Sequence, residues 1–239
     1  MIKLAVSGCQ GRMGQRITAL ALLDNAFKIA ALLENKDRPD VPLMNHQIPV
    51  NFDANALKGC KVLIEFTSPE ATIKHLKVCL KYGVNMVIGT TGFSKPQIAQ
   101  IKKASAKIGI VFSSNMSVGV NLVFALIAKA AKVTGKNYAI TLSETHHVHK
   151  KDAPSGTAKT MAEVAEACSK TKVINIESLR EGEVIGDHTI TFDSAVDVIS
   201  LQHHAKTRDI FAEGSLVAAK FLSKKKNGLY NMQDVLGLN

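Results

Sequence analysis

Ile2-Lys3-Leu4-Ala5-Val6-Ser7-Gly8-Cys9-Gln10-Gly11-Arg12-Met13-Gly14-Gln15 is the stretch on which the fold of this chain turns. Ile2–Val6 is an apolar run of strand length, Gly8–Gly14 is a turn, and Gln15–Leu23 has helical spacing. Glycines in such a turn let the chain reverse tightly and let backbone N–H groups approach a pyrophosphate, and the helix N-terminus adds partial positive charge. The spacing is G-x-x-G-x-x-G rather than the commoner G-x-G-x-x-G, so Gln10 stands where a glycine is often found. Glu34 follows Gly14 by 20 residues, at the end of the next apolar run, where a carboxylate can accept from ribose hydroxyls. Gly8, Cys9, Gln10, Gly11, Arg12, Met13 and Glu34 are therefore expected to bind a dinucleotide.

Working outward, apolar runs recur at Ile29–Leu33, Lys61–Phe66, Val84–Ile88 and Ile108–Phe112, with helical stretches at Pro69–Tyr82 and Ser94–Lys107. Apolar strands separated by helices predict a parallel sheet covered on both faces. Gly89-Thr90-Thr91-Gly92 and Ser113-Ser114-Asn115-Met116 follow two of these strands. In open α/β sheets, ligands bind at that end.

Beyond the apolar helix Val118–Val133 the rhythm changes. Tyr138–Glu144, Val173–Glu177, Val184–Asp193 and Val196–His204 read as strands, with one clear helix, Thr157–Ser169, whose Met161, Val164, Ala165 and Cys168 are expected to face inward. The alternation in Val184–His204 fits a half-buried antiparallel sheet with an uncovered apolar face. The fold class is thus α/β: a doubly wound parallel-sheet dinucleotide-binding domain over 1–117 and 208–239, plus an α+β domain with a mostly antiparallel sheet over 118–207.

Composition narrows the function classes. The net charge of +10 favours anionic partners, but aromatics are only 5% and Trp is absent, so nucleic acid is not expected. No apolar run reaches the roughly 20 residues that span a bilayer. Four scattered cysteines without a C-x-x-C pair, and no signal peptide, predict free thiols in the cytoplasm. Lys224-Lys225-Lys226 reads as a solvated helix end, and His46, His203 and His204 as surface or strand polar positions.

The second chemical signal is Glu144-Thr145-His146-His147-Val148-His149-Lys150-Lys151-Asp152-Ala153-Pro154-Ser155-Gly156-Thr157-Ala158. Three histidines and two lysines within six residues suit an anionic substrate and general-acid work. The helix opening after Pro154 is a second anion site. Zinc held by His146, His147 and His149 is the rival reading, disfavoured because consecutive ligands converge poorly; no metal is expected.

The stretch E-x-H-H-x-x-K-x-D-A-P-S-G-T-A over Glu144–Ala158 resembles the signature of the 4-hydroxy-tetrahydrodipicolinate (dihydrodipicolinate) reductases. The resemblance extends to G-x-x-G-R-M-G at the start, G-T-T-G-F at Gly89–Phe93 and N-x-S-x-G-V-N at Asn115–Asn121. It continues with R-x-G-x-x-x-G-x-H at Arg180–His188 and F-A-x-G at Phe211–Gly214. It implies reduction of a cyclic dicarboxylate by NADH or NADPH, with loss of water, in diaminopimelate and lysine biosynthesis. His146 would be the proton donor, its pKa pulled down by the neighbouring positive charges, and Lys150 the second catalytic residue. His147, Gly156 and Thr157 would hold the substrate. Gly8–Met13, Glu34, Gly89–Thr91 and Ser113–Met116 match the family's cofactor segments, and a homotetramer joined through the second sheet is implied. Many relatives carry an arginine after the ribose-binding acid. Here Asn35 follows Glu34 and the nearest cation is Lys36, which weakens the expectation of NADP preference. An aspartate-type dehydrogenase and a non-catalytic dinucleotide sensor are the alternatives.

Overall fold

The computed structural model describes residues 1–37 and 41–238. The chain divides into two units, one of Met1–Ser117 with Phe211–Gly237 and the other centred on Val118–Ile210.

The first unit contains strands β1 (Ile2–Ser7), β2 (Phe27–Leu33), β3 (Met44–Asn45), β4 (Ile48–Asn51), β5 (Val62–Glu65), β6 (Asn85–Ile88) and β7 (Gly109–Phe112). Helices α1 (Arg12–Leu23), α2 (Pro69–Tyr82) and α3 (Lys95–Ala104) lie between them. The second unit contributes α4 (Val118–Thr134), β8 (Ala139–His146), α5 (Gly156–Ser169), β9 (Val173–Arg180), β10 (Asp187–Asp193) and β11 (Val198–His204). The chain ends with α6 (Asp209–Ser223), β12 (Gly228–Tyr230) and α7 (Met232–Leu236).

The first sheet has the order β12-β7-β6-β5-β1-β2-β4-β3, parallel throughout except for the β3–β4 pair. Every residue of β5 and β6 is buried, as expected of central strands covered on both faces. The chain moves from β1 to β2 on one side and later to β5 on the other, so the sheet order reverses at β1. A crevice opens there at the strands' C-terminal ends. Strands β3, β4 and β12 are additional to the five read from the sequence; none of them is a continuous apolar run. The tail is held by Asn85, whose amide donates to the carbonyls of Leu222 (2.8 Å) and Lys225 (3.1 Å) and accepts from Gly109 N–H (2.8 Å). A Cβ on Gly214 would meet the Met116 carbonyl oxygen at 1.8 Å, so α6 rests on this loop backbone against backbone. Lys225 lies over the rings of Phe221 and Tyr230 rather than standing free in solvent.

The second sheet has the order β11-β10-β8-β9, with β8–β9 its parallel pair. Its inner face packs Ile140, Leu142, Ile190 and Phe192 against Val120, Phe124 and Ile127 of α4 and Ala158, Met161 and Ala165 of α5. Four expectations are corrected here. Cys168 is exposed, and Ser169 takes the buried position, because the stripe on α5 runs 158, 161, 162, 165, 169. The uncovered sheet face is polar at its centre rather than apolar: the register puts Thr141, Ser143 and Thr145 beside Thr191, Thr189 and Ser200 there, with Leu179 and Val198 exposed on its outer strands. Strand β10 also starts at Asp187 rather than Val184. Finally, Val118–Asn137 is long and apolar enough by length and composition to cross a membrane, contrary to the sequence reading. One face of α4 is nonetheless packed in this core, as in the core helix of a globular unit.

Candidate active site

In the first unit, the glycine turn is shaped by contacts that a side chain would break. Gly8 has φ +68°, and a Cβ there would lie 2.8 Å from the Phe66 carbonyl oxygen. A Cβ on Gly14 would come within 2.1 Å of the Gly8 carbonyl oxygen, so α1 begins in direct contact with the loop. Gln10 tolerates its position because its side-chain amide turns away, donating to the carbonyls of Pro42 and Met44. Cys9 is buried, and its carbonyl accepts from Asn45 Nδ2 at 2.8 Å. Glu34 closes the loop: its carboxylate accepts from the N–H groups of Gln10 and Asn35, each at 3.0 Å. Arg12 and Met13 begin α1.

A cleft of about 580 Å³ opens beside this loop, lined among others by Gly8, Glu34, Lys36, Thr67, Lys74 and His75. Gly89 abuts the Phe66 ring, where a Cβ would come within 2.2 Å. Thr90 is buried beside it, and its hydroxyl accepts from Thr67 N–H at 3.0 Å. Thr91 is exposed at the same strand end. After β7, Ser113 Oγ donates to the Asn115 carbonyl, Asn115 Oδ1 accepts from Ser117 N–H, Ser114 is exposed and Met116 is buried. With strands about 4.8 Å apart, the ends of β2, β1, β5, β6 and β7 form a row of roughly 19 Å, a shape suited to an extended dinucleotide. The sequence reading missed the β5 end. There Glu65 is fully buried and paired with His75 Nδ1 at 2.7 Å and with the Thr67 hydroxyl. A lone carboxylate closing an apolar strand was the available signal.

The second unit builds its site from sheet register. Alternation on β8 places Ile140, Leu142, Glu144 and His146 on one buried face, so the lining changes from apolar to ionisable along the strand. Across the ladder, His188 stands opposite Glu144, and His203 opposite His188; Arg180 stands opposite His146. Glu144 Oε2 pairs with His146 Nδ1, while Oε1 accepts from an Arg180 guanidinium N–H (3.0 Å) and from Ser155 N–H (3.3 Å). Ser155 caps α5, its hydroxyl accepting from Ala158 N–H and meeting His188 Nε2 at 3.1 Å. The motif ending at His188 wraps this site: Gly182 turns with φ +46°, and a Cβ on Gly186 would sit 3.0 Å from His146 Nε2.

Burial holds the His146 imidazole below its usual value; Glu144 opposes this, and Lys150 and Arg180 add to it. The direction is the expected one, but the leading cause is desolvation rather than the neighbouring cations. Burial also pushes Glu144 up, yet Arg180 and His146 outweigh it, and the carboxyl titrates below the ordinary range. His188 is driven by burial, and then by His146, down to about 4.

The histidine–lysine cluster does not act as one group. Strand alternation buries His146 and leaves His147 half-buried, while His149 is exposed and 3.6 Å from Glu183, so these three do not converge on a metal. Lys150 Nζ is 2.8 Å from Asp152, and Arg180 braces that loop through the carbonyls of Lys150 and Asp152. Lys151 is exposed. Gly156 and Thr157 open α5, and the Gly156 Cα has open space around it. Ligand-type atoms of Glu144, His146 and His188 lie within 4.8 Å of one another. Glu144 bonds to His146, Arg180 and Ser155, and His188 Nε2 meets Ser155, while His188 Nδ1 is buried without a hydrogen-bond partner among the described residues. Sequence reading named His146 and Lys150 but missed Glu144, Ser155, Arg180 and His188 as partners; the two-residue spacing of Glu144 and His146 was the signal for the first.

A dinucleotide cradle in one unit and a buried proton-carrying imidazole in the other are what hydride reduction with separate protonation requires. Fold and site thus define a pyridine-nucleotide-dependent oxidoreductase. Residues 2–116 match the dihydrodipicolinate reductase N-terminus and residues 119–236 the dihydrodipicolinate reductase C-terminus. The chain belongs to the dihydrodipicolinate reductase family. It is 40% identical to the 4-hydroxy-tetrahydrodipicolinate reductase of Nitrosomonas eutropha, over 100% of this chain and 99% of that protein. Identity to the same enzyme of Polynucleobacter necessarius is also 40%, over 99% of both. Among solved structures, dipicolinate-bound dihydrodipicolinate reductase from Paenisporosarcina sp. TG-14 superposes with a TM-score of 0.85 at 25% identity, covering 98% of each chain.

Proposed function

We propose that this chain reduces 4-hydroxy-tetrahydrodipicolinate to tetrahydrodipicolinate with loss of water, the diaminopimelate and lysine pathway step for which its relatives are named. The observation that carries the reading is the buried His146–Glu144 pair, joined through Ser155 to the N-terminus of α5. The first unit is the dinucleotide-binding domain and the second binds substrate. Gly8–Met13 and the start of α1 hold the pyrophosphate, Glu34 the adenosine ribose, and the loops Gly89–Thr91 and Ser113–Met116 the remainder. When bound, the reduced nicotinamide supplies the hydride.

The chain's own residues supply the rest. The substrate is a small dicarboxylate, like the dipicolinate bound to the Paenisporosarcina enzyme. Gly156 and Thr157 at the start of α5 take one carboxylate, and His147 holds the ring. Entry of this dianion raises the proton affinity of His146, offsetting the burial that keeps the imidazole neutral. The protonated ring then gives its proton to the charge left on the substrate. The Lys150 ammonium stabilises that charge, an effect often worth several kcal/mol. The water is balanced within the substrate: the 4-hydroxyl leaves with a hydrogen from the adjacent carbon, giving the conjugated imine that takes the hydride and the His146 proton.

Both cofactors are accepted, with NADH at least comparable to NADPH. The Glu34 carboxylate suits ribose hydroxyls and repels a 2′-phosphate. Lys36 and Lys74 line the same cleft, but Asp37 and Glu70 balance them. Arg38 lies outside the described residues. The cysteines form no disulfide among the described residues, and three are buried, which suits a reducing cytoplasm. The Thr- and Ser-lined face of the second sheet is the surface through which a homotetramer would form. The test is oxidation of NADH and of NADPH, each with substrate freshly made by the preceding condensation. Absence of oxidation with both refutes the activity, and an NADPH preference above roughly 100-fold, about 2.7 kcal/mol, refutes the charge argument at Glu34.

A further inference from the structure

The carboxylate of Glu144 touches more of the candidate site than any group yet assigned a task. It is fully buried, and its two oxygens reach His146 Nδ1, the Arg180 guanidinium and the Ser155 N–H. Those contacts come from β8, β9 and the cap of α5. The other charged or titratable groups facing His146 are Lys150, from the loop after β8, and His188, whose ring meets the His146 ring edge-on at 5.0 Å. None of these is a carboxylate. Glu144 is therefore the acceptor that selects which ring nitrogen of His146 keeps its proton.

We propose that Glu144 is the positioning residue of the reaction: it holds a proton on His146 Nδ1, leaves Nε2 as the nitrogen that delivers one, and ties that ring to the substrate-binding end of α5 through Ser155. This rests on the reading of His146 as the proton donor. In the protonated ring, both nitrogens carry hydrogen. Transfer breaks the Nε2–H bond, the proton joins the substrate, and the neutral ring keeps Nδ1–H directed at the Glu144 carboxylate, which never takes the proton. Gly186 serves the same arrangement, since a Cβ there would stand 3.0 Å from Nε2 and crowd the atom that must meet substrate. Arg180 keeps Glu144 ionised, so the orienting charge persists when the imidazolium discharges. The same carboxylate receives Ser155 N–H, so a shift of the α5 terminus on carboxylate binding is felt at the donor ring without any side chain moving far.

The sign of the effect on pH dependence follows from charge. Replacing Glu144 by glutamine removes the group that favours imidazolium, while Lys150 and Arg180 remain to oppose it. The alkaline limb of kcat, where the acid loses its proton, then moves to lower pH. For Glu144→Gln we expect a limb displaced by about one pH unit or more and kcat at pH 7.5 lowered at least 10-fold, with the NADH dissociation constant unchanged. Glu144→Asp keeps the charge but shortens its reach; its limb should move less than that of Glu144→Gln. A residue needed only for folding would lower the melting temperature without displacing the limb. Histidine nitrogen NMR of the unaltered, NADH-bound enzyme gives a measurement that does not depend on a variant folding. Neutral His146 should show a protonated Nδ1 and a bare Nε2, and the opposite tautomer overturns the proposal. It is also overturned if Glu144→Gln keeps kcat and its pH limb while His146→Gln loses activity. If instead His146→Gln keeps full activity, the donor reading itself fails.

Discussion

Replacing Gly14 by alanine places a methyl group 2.1 Å from the Gly8 carbonyl oxygen and 2.7 Å from the Cys9 Cα. Both obstacles are backbone, so no side-chain rotation relieves the clash, and α1 must withdraw from the loop by about 1 Å or more. Overpacking of this kind costs roughly 1–3 kcal/mol of stability. The effect on function is separate. The N-terminus of α1 is the proposed pyrophosphate-binding end, and a shift of that size takes a hydrogen bond of about 2.9 Å out of range. Losing one charge-assisted bond costs about 1.5–3 kcal/mol, which corresponds to a roughly 10- to 150-fold rise in the NADH dissociation constant. Fluorescence titration of NADH, with circular dichroism to verify folding, measures both consequences. Gly83→Ala is the control for a glycine replaced without a clash: unlike Gly14 it has a left-handed φ, +68°, and nothing lies within 4 Å of its added Cβ. It should cost about 1–2 kcal/mol in strain and leave NADH affinity untouched. A folded Gly14→Ala protein binding NADH within twofold of the unaltered one would refute the argument that this glycine sets the cradle.

His146→Gln should lower kcat by roughly 10²-fold or more with modest change in KM and normal NADH binding. Lys150→Ala should also lower kcat strongly, and Lys150→Arg should not restore it fully, because a planar fork does not replace a compact ammonium; steady-state kinetics decide both. The buried His188, about 4 in the folded state against 6.5 unfolded, binds its proton more readily when unfolded. Its contribution is therefore present above about pH 6.5 and lost as pH falls towards 4, by up to about 3 kcal/mol. Urea denaturation at pH 7 and pH 4.5 measures this, and a His188→Gln variant with the same acid-side loss would show that another group is responsible. Sedimentation at micromolar concentration should give a tetramer, which Thr191→Arg on the uncovered sheet face should weaken; a stable monomer for the unaltered chain contradicts the assembly.

Much of this molecule is written in local pattern. The five central strands of the first sheet are short apolar runs, and the glycines between β1 and α1 mark a backbone conformation few other residues adopt. The helix at Pro69–Tyr82 is bounded by its Ser68 cap, its early proline and a left-handed Gly83, all local signals. The crowding of histidines and lysines over 146–151 marked an electropositive stretch, and the resemblance carried by the E-x-H-H motif is what singled out His146 and Lys150. Strands β3, β4 and β12, at or next to the sheet's edges, carried no such signal, since Met-Asn, Ile-Pro-Val-Asn and Gly-Leu-Tyr are not continuous apolar runs.

Residue identity and spacing thus determined the strand–turn–helix cradle, the change of sheet type near Val118 and the residues able to exchange a proton, because each depends on neighbours within one turn or one strand. Only the tertiary structure decided how those residues work. Glu144 meets Arg180, 36 residues away, and His188 meets Ser155, 33 residues away, because strand register and a helix cap bring them together. It also decided that His146 is buried and held by a carboxylate while His149 is in solvent. Desolvation and partner geometry set a proton's affinity, and neither exists until the sheet has closed over the side chain.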